Sequence, residues 1–405
     1  MTRIIYFSTT YSPHDHRFLS ALAKTEHQVY FVRLTRGKNE SEDRIIPTEI
    51  EQVIWEGGQR EFRWRDVPKY ARGLRRVIKL IQPDILHAGP IQTVGLVAVL
   101  TGFRPILTMS WGFDLMEDVH RNKWWEWVTR FVLKRSTFFT SDAQVTRDKA
   151  IEYGMNPERT IVFPWGVDLE HFKPSDSAIQ RINATTNQRT NESTNQRNNE
   201  TTRKRNNEKT KQRENETTKQ RNNEITLFCN RSWEPRYGVD VLAKAFVRAA
   251  KSKPNLSLIL LAGGSQAGAI RRILTSGGVM ERVHFGGYIK QKDLPRYYHM
   301  ADVYISPSHV DGSSVSLMEA MACGLPCLVS DIPANKEWVT EDENGWLFPD
   351  GDADALAEKI LRVAENRDTL DEIGANSRRV AEESADWQKN FQKLLQAYEL
   401  TAKLK

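Results

Sequence analysis

No apolar run in this chain reaches the roughly 18 residues that a membrane-spanning helix needs, which excludes an integral helical membrane protein as the expected class. Cysteine is scarce: Cys229, Cys323 and Cys327 are the only three, an odd number, with no histidine at ligand spacing and no secretory signal at the N-terminus. That usage argues against a disulfide-stapled secreted scaffold and for a reducing cytoplasm. Cys323 and Cys327, inside "AMACGLPC", read as small buried residues rather than metal ligands.

Apolar residues are also scarce overall, at 39%, and the mean hydropathy is −0.57. One tract accounts for both. From Asp176 to Glu224 almost nothing is apolar, and its 11 basic and 7 acidic residues supply +4 of the formal net charge of +6. The rest of the chain is close to neutral, so a nucleic-acid partner is not expected. Within the tract runs an eight-residue repeat, from NQRTNEST at Asn187 to KQRNNEIT ending at Thr226. Eight residues match neither a coiled-coil heptad nor a solenoid unit, and no repeat position is consistently apolar. Such a tract cannot bury enough surface to offset chain entropy, so residues 175–224 are expected to be a disordered linker without chemistry.

Two further stretches carry surface signals. Arg60–Lys79 holds eight basic residues against two acids, which suits a solvated helix face or attraction to an anionic membrane or a phosphorylated acceptor. "WWEWVTRFVLKRS", Trp124–Ser136, suits either an interfacial helix in peripheral membrane contact or a buried amphipathic one.

What is present on either side of the tract is a repeated alternation. Short β-type runs, "RIIYFS", "HQVYFVRL", "DILHAG", "PILTMS", "STFFTS" and "TIVFPWG", are separated by amphipathic helical segments in the first half. "ITLFCNR", "LSLILLAGG", "RVHFGGY", "DVYISPS" and "PCLVSD" repeat the plan in the second, and the pattern is helical only after Asp352. Alternation of this kind predicts an α/β protein of two Rossmann-like domains, each a parallel sheet covered on both faces, with ligand at the carboxyl ends of the strands.

The segment "SPSHVDGSSVSLMEAMACGLP" concentrates the chemistry. A strand ending near Ser308 leads through a polar loop into a helix expected from about Ser316 to Cys323. Ser316 and Glu319 have the spacing of a capping box. The same helix start, preceded by Gly312, Ser313 and Ser314, offers free backbone N–H groups and a positive dipole end to a phosphate. Asp311 before those donors and Glu319 beyond them could hold polar groups at both ends of a diphosphate-bridged ligand such as a nucleotide sugar.

This stretch resembles the E-x7-E signature of family 4 glycosyltransferases. "NRSWEPRYGVDVLAKAF", "LILLAGGS", "NGWLFPDGD", "SWGFD" and "FPWGVDLEHFKP" resemble further motifs of that family, in the family's order. The resemblance spans everything except the octad tract. It implies the GT-B fold: an acceptor-binding domain at 1–174 joined by a returning C-terminal helix at about 385–405, and a nucleotide-sugar domain at 225–384, facing across a cleft. It implies transfer of a sugar, with retained configuration, from a nucleotide sugar to a sugar or lipid-linked acceptor, without metal or other cofactor. The lack of an Asp-x-Asp cluster in a loop expected to face the cleft agrees.

The resemblance further assigns Glu319 to the ribose, Asp311 to the transferred sugar, and Arg231 and Arg236 to the diphosphate. Gly312, Ser313, Ser314, Gly264 and Ser265 fall at the donor. Asp311 is one methylene shorter than the family's usual Glu, and Trp111 stands where the family has a histidine in "HG-x-D", with Asp114 keeping the acid. His14, Asp15 and His16 follow the first strand and are candidates for the acceptor side, against the plainer reading of a structural turn. A sugar-nucleotide 2-epimerase on the same fold, or a silent nucleotide-sugar-binding protein, remain the alternatives.

Overall fold

The computed structural model describes residues 1–35, 42, 44–59, 61–176, 178 and 224–404. Arg60 and nearly all of the expected 175–224 linker lie outside the described residues. The chain forms two compact units: Met1–Trp165 with Asp311–Ser313 and Trp387–Lys405, and Gly166–Val310 with Ser314–Asp386.

The first unit is built on β1 (Arg3–Ser8), β2 (Gln28–Arg33), β3 (Glu51–Gln52), β4 (Ile85–Ala88), β5 (Ile106–Met109), β6 (Phe138–Ser141) and β7 (Thr160–Val162). Their order is β3-β2-β1-β4-β5-β6-β7, and every pairing is parallel. β4, β5 and β6 are buried along their whole length, as strands covered on both faces must be. Their apolar runs are therefore continuous rather than alternating. β3 was not expected from the sequence. Its two residues are polar and exposed at the sheet edge, where pairing through the backbone leaves no hydrophobic signature.

The second unit contains β8 (Ile225–Cys229), β9 (Leu256–Leu261), β10 (Val283–Gly287), β11 (Val303–Ser306), β12 (Cys327–Ser330) and β13 (Gly345–Phe348), in the order β10-β9-β8-β11-β12-β13 and again wholly parallel. Leu227, Leu258, Leu260, Val303 and Ile305 meet the helices Val239–Ser252 and Ala353–Glu365 in one core. β13 lies in "NGWLF", a stretch that reads as a turn in sequence. Gly345 is what lets it pair: a Cβ there would stand 2.1 Å from the Cys327 carbonyl oxygen. All three cysteines are buried and free.

Both sheets reverse their order once, between β1 and β4 and between β8 and β11. In a doubly wound sheet the connections leave on opposite faces at that place, and the loops part to leave room for a ligand. Arg231 follows β8, and the Pro307–Ser314 segment follows β11.

The final helix, Trp387–Lys403, packs on β4, β5, β6 and β7 of the first unit, as the expected returning helix requires. Trp387 meets Phe18 edge-on at 5.3 Å and lies beneath the Arg17 guanidinium at 5.7 Å. Further along, the Tyr398 hydroxyl is 2.7 Å from His87 Nδ1 at the end of β4, both buried. Burial alone pushes the His87 imidazole down to about 3, so it stays neutral and can share only one proton with its neighbours. Removing the hydroxyl strands a buried ring nitrogen, which costs about 1–3 kcal/mol. Tyr398→Phe is thus expected to lower the melting temperature by several degrees without altering ligand binding by the second unit. An unchanged melt would show that the bond does not hold the helix.

Candidate functional site

The helix after β11 begins two residues earlier than the capping-box spacing predicts. Ser314, not Ser316, is the N-cap, accepting from the Leu317 N–H, and the helix runs Val315–Ala322. Ser316 and Glu319 therefore lie inside the helix and do not cap each other; Glu319 is the fifth helical residue rather than the third. A helix start of the predicted kind does exist in the first unit, where Ser12 and Asp15 form a reciprocal capping box.

Released from capping, both side chains join one hydrogen-bonded chain at the switch point of the second sheet. Arg231 Nη1 donates to Ser314 Oγ at 2.7 Å and to Ser316 Oγ at 3.0 Å. The Tyr304 hydroxyl donates to Asn230 Oδ1 at 3.1 Å and lies 2.8 Å from Ser316 Oγ, whose proton it can accept. Asn230 Nδ2 donates to the Tyr298 hydroxyl at 2.9 Å, which donates to Glu319 Oε2 at 2.8 Å. Gln291 Nε2 closes the series on Glu319 Oε1 at 2.8 Å. The guanidinium of Arg231 also lies 4.3 Å from the centre of the Tyr237 ring.

Glu319 is 3% exposed, and both tyrosines are fully buried. Burial first, and then the Glu319 charge, raise the Tyr298 phenol well above its ordinary value; burial does the same to Tyr304. Both hydroxyls therefore remain protonated donors, so the carboxylate and the guanidinium are held from opposite ends by neutral groups. Sequence reasoning found Arg231 and Glu319 but missed Asn230, Tyr298, Tyr304 and Gln291. Tyr298 and Tyr304 look like ordinary core aromatics in "YYHM" and "DVYIS". Only their hydroxyls, both bonded to Asn230 just past the end of β8, mark them out.

The two loops beyond β8 and β9 are fastened together. Trp233 N–H donates to the Gly263 carbonyl at 2.9 Å, and its indole donates to Leu261 O at 2.9 Å. Gly264 stands where a Cβ would lie 2.6 Å from the Trp233 carbonyl group, so this approach requires glycine. Ser265 donates its N–H to Glu234 Oε1 at 2.8 Å and its hydroxyl to Glu234 Oε2. Glu234 thus occupies the donors that the sequence reading left for the donor sugar nucleotide. Arg236 lies on the 3₁₀ turn Pro235–Tyr237, and its carbonyl accepts from the His309 N–H at 2.9 Å.

Asp311, Gly312 and Ser313 group with the first unit, while Ser314, Glu319, Arg231, Arg236, Gly264 and Ser265 belong to the second. Ser313 donates its N–H to Asp142 Oδ2 at 2.8 Å and its hydroxyl to the Asp142 carbonyl at 2.6 Å. Burial raises the Asp142 carboxyl to about 7, with Asp311 adding to the rise and the Ser313 N–H opposing it.

The remaining candidates of the first unit divide by role. Asp15 is buried and accepts from Ser12 N at 2.9 Å, Ser12 Oγ at 2.6 Å and the Tyr6 hydroxyl at 3.1 Å. His16 has its two ring nitrogens 2.6 Å from the Tyr11 hydroxyl and 3.3 Å from Ser20 Oγ. Asp114 is buried and accepts from Ser110 Oγ, Trp111 N, Leu115 N and Ile91 N at 2.6–3.2 Å. Burial raises both Asp15 and Asp114 to about 6 despite these donors. His14, by contrast, is half-buried and packs its ring against Trp111 at 5.8 Å and Trp165 at 4.6 Å.

Comparison with known proteins bears on both halves of the chain. Residues 14–171 match the model described as Glycosyltransferase Family 4, and residues 209–380 match Glycosyl transferases group 1. The phosphatidyl-myo-inositol mannosyltransferase of Mycobacterium leprae is 30% identical over 178 residues, 44% of this chain and 46% of that one. The chain spans less than half the length of the curated relatives it matches first. Sucrose-phosphate synthase from Thermosynechococcus elongatus has a similar structure, with a TM-score of 0.76 at 18% identity, over 98% of both chains. Anabaena HepE in complex with UDP and glucose reaches 0.72 at 17% identity, over 98% of this chain and 100% of that one. These structures share the expected GT-B fold class. With both halves matched in order, the chain belongs to glycosyltransferase family 4.

Proposed function

We propose that this protein is a retaining glycosyltransferase that moves a sugar from a nucleoside diphosphate donor to a hydroxyl of a sugar or lipid-linked acceptor. The observation that carries the reading is the hydrogen-bonded chain that joins half-buried Arg231 to buried Glu319 across the switch point. It holds a cation and a carboxylate in fixed places beside the N-terminus of the helix Val315–Ala322. A diphosphate fits the cation and the helix N-terminus, and the ribose hydroxyls fit the carboxylate. The solved HepE complex with UDP and glucose and the mannosyltransferase name of the Mycobacterium leprae relative support this reading.

In the proposed reaction the bond from the sugar's anomeric carbon to the diphosphate oxygen breaks. The acceptor oxygen bonds to that carbon from the same face, and its proton passes to the departing phosphate oxygen. Arg231, Arg236 and the helix N-terminus stabilise the negative charge that gathers on the leaving group, so rate comes from positioning and electrostatics. His14, turned toward Trp111 and Trp165, is the candidate for the acceptor side, whereas Asp15 and Asp114 hold loops.

A panel of nucleoside diphosphate sugars is expected to contain at least one donor that raises the melting temperature. Saturation at 100 times the dissociation constant adds about 2.7 kcal/mol. Arg231→Ala and Glu319→Gln should abolish that shift and transfer together while circular dichroism stays native. Tyr298→Phe should weaken donor binding about tenfold, because it leaves Glu319 one donor short. Wild-type turnover in Arg231→Ala or Glu319→Gln would overturn the assignment. The same reading calls on no metal, so EDTA is expected to leave transfer unchanged.

The loop-holding role of Asp114 has its own signature. Its folded-state value of about 6 lies above the ordinary 3.8, so its contribution to stability is full below about 4 and fades as pH rises to about 6. Asp114→Asn cannot titrate. Its stability relative to wild type should rise by about 3 kcal/mol from pH 4 to pH 7 and then stay level. Parallel pH profiles for the two proteins would refute the raised value.

A further inference from the structure

The two surface segments singled out in the sequence, some sixty residues apart, meet in the first unit. The helix Lys123–Leu133 buries Val128, Thr129, Val132 and Leu133. Its other side carries an aromatic column. Trp124 and Trp127 stack at 5.1 Å with 20° between their planes, and Trp127 and Phe131 stack at 5.1 Å with 23°. The guanidinium of Arg135 extends the column, 3.7 Å from the centre of the Phe131 ring. Trp64, from the 3₁₀ turn that leads into the basic helix Val67–Ile81, meets Trp124 edge-on at 6.5 Å and Trp125 at 5.4 Å. One face of Trp124–Ser136 is core, as the buried-helix reading requires, and the other is displayed.

Trp124 and Trp127 are about half exposed, at 53% and 50%, and Trp64 is 38% exposed. Single exposed apolar residues are ordinary on a soluble protein, but a contiguous stacked set is not. The charges around it have one dominant sign. Arg121 and Arg130 are paired with Asp118 and Glu126. Arg63, Arg65, Lys123 and Arg135 are exposed and form no ion pair among the described residues.

We propose that this joined surface, Trp64 with Trp124, Trp127 and Phe131 rimmed by basic side chains, is a docking site for an anionic lipid bilayer. Indole rings with an apolar body and a polar N–H settle at the headgroup boundary, and arginine and lysine there meet lipid phosphates. A second copy of the chain fits less well, because pairing this face with itself would bring the cationic rims together. The inference is independent of the donor site, which lies in other residues.

The test is sedimentation of the full chain with vesicles of phosphatidylcholine alone and with an equal admixture of phosphatidylglycerol. Binding is expected to the anionic vesicles, to weaken with added salt, and to be much poorer on neutral ones. Trp124→Ala with Trp127→Ala should lower binding at least about tenfold with an unchanged melt. Arg65→Glu with Lys123→Glu should lower it similarly while leaving the aromatic column intact. Thermal shift by nucleotide sugars, read on the same variants, should match wild type, which separates this result from failure of the donor reading. The proposal is overturned if wild type ignores anionic vesicles, or if both double variants bind as wild type does. It is equally overturned if the tryptophan pair instead supports a concentration-dependent dimer, or if an acidic protein but no vesicle is held.

Discussion

The second unit depends on a hydrogen-bonded chain that cannot lose a member cheaply. Arg231, Ser316, Tyr304, Asn230, Tyr298 and Glu319 each satisfy the next, with Tyr304, Tyr298 and Glu319 buried and Arg231, Ser316 and Asn230 half-buried. In a low-dielectric site each bond is stronger than in water, and each unpaired atom is correspondingly costly. The chain ties β8 to β11 and ties both to the helices Leu294–Met300 and Val315–Ala322. It keeps a positive and a negative side chain at a fixed separation without letting them neutralise each other. That separation is what a ligand with a charged middle and a polar end would require.

The doubly wound order of the sheets explains why these groups gather where they do. Parallel strands bring every loop that follows a strand to the same edge, and the reversal between β8 and β11 parts the loops at one place. Loop geometry then refines the result. Gly264 permits the approach of the Trp233 backbone, and Glu234 takes the two donors of Ser265. In the first unit the equivalent loops are held by buried acids, Asp15 and Asp114. Their raised carboxyl values record how strongly burial opposes their ionisation even with several donors present.

The aromatic column of the first unit follows a different rule. Its helix satisfies the core with one stripe and still presents stacked indoles on the other, beside cations that form no ion pair among the described residues. Packing accounts for the first stripe and not for the second. A surface of this composition is explained by what it meets outside the protein.

Most strands, the parallel character of both sheets and the place of Arg231 were readable from the sequence, because buried parallel strands write themselves as unbroken apolar runs bounded by polar loops. β3 and β13 were not. One is too short and polar to leave a pattern, and the other sits in a segment whose glycine reads as a turn. The capping box at Ser316 and Glu319 was a local pattern that the fold overrode: Ser314 caps, and the freed side chains turn to Tyr304 and Tyr298. Local spacing along the chain determined which segments could be strands or helices, since that depends only on neighbours in sequence. Which tyrosine reaches which acid, and that Trp64 meets Trp124, was decided by tertiary structure alone, because hydrogen bonds and ring contacts depend on distances that no sequence interval records.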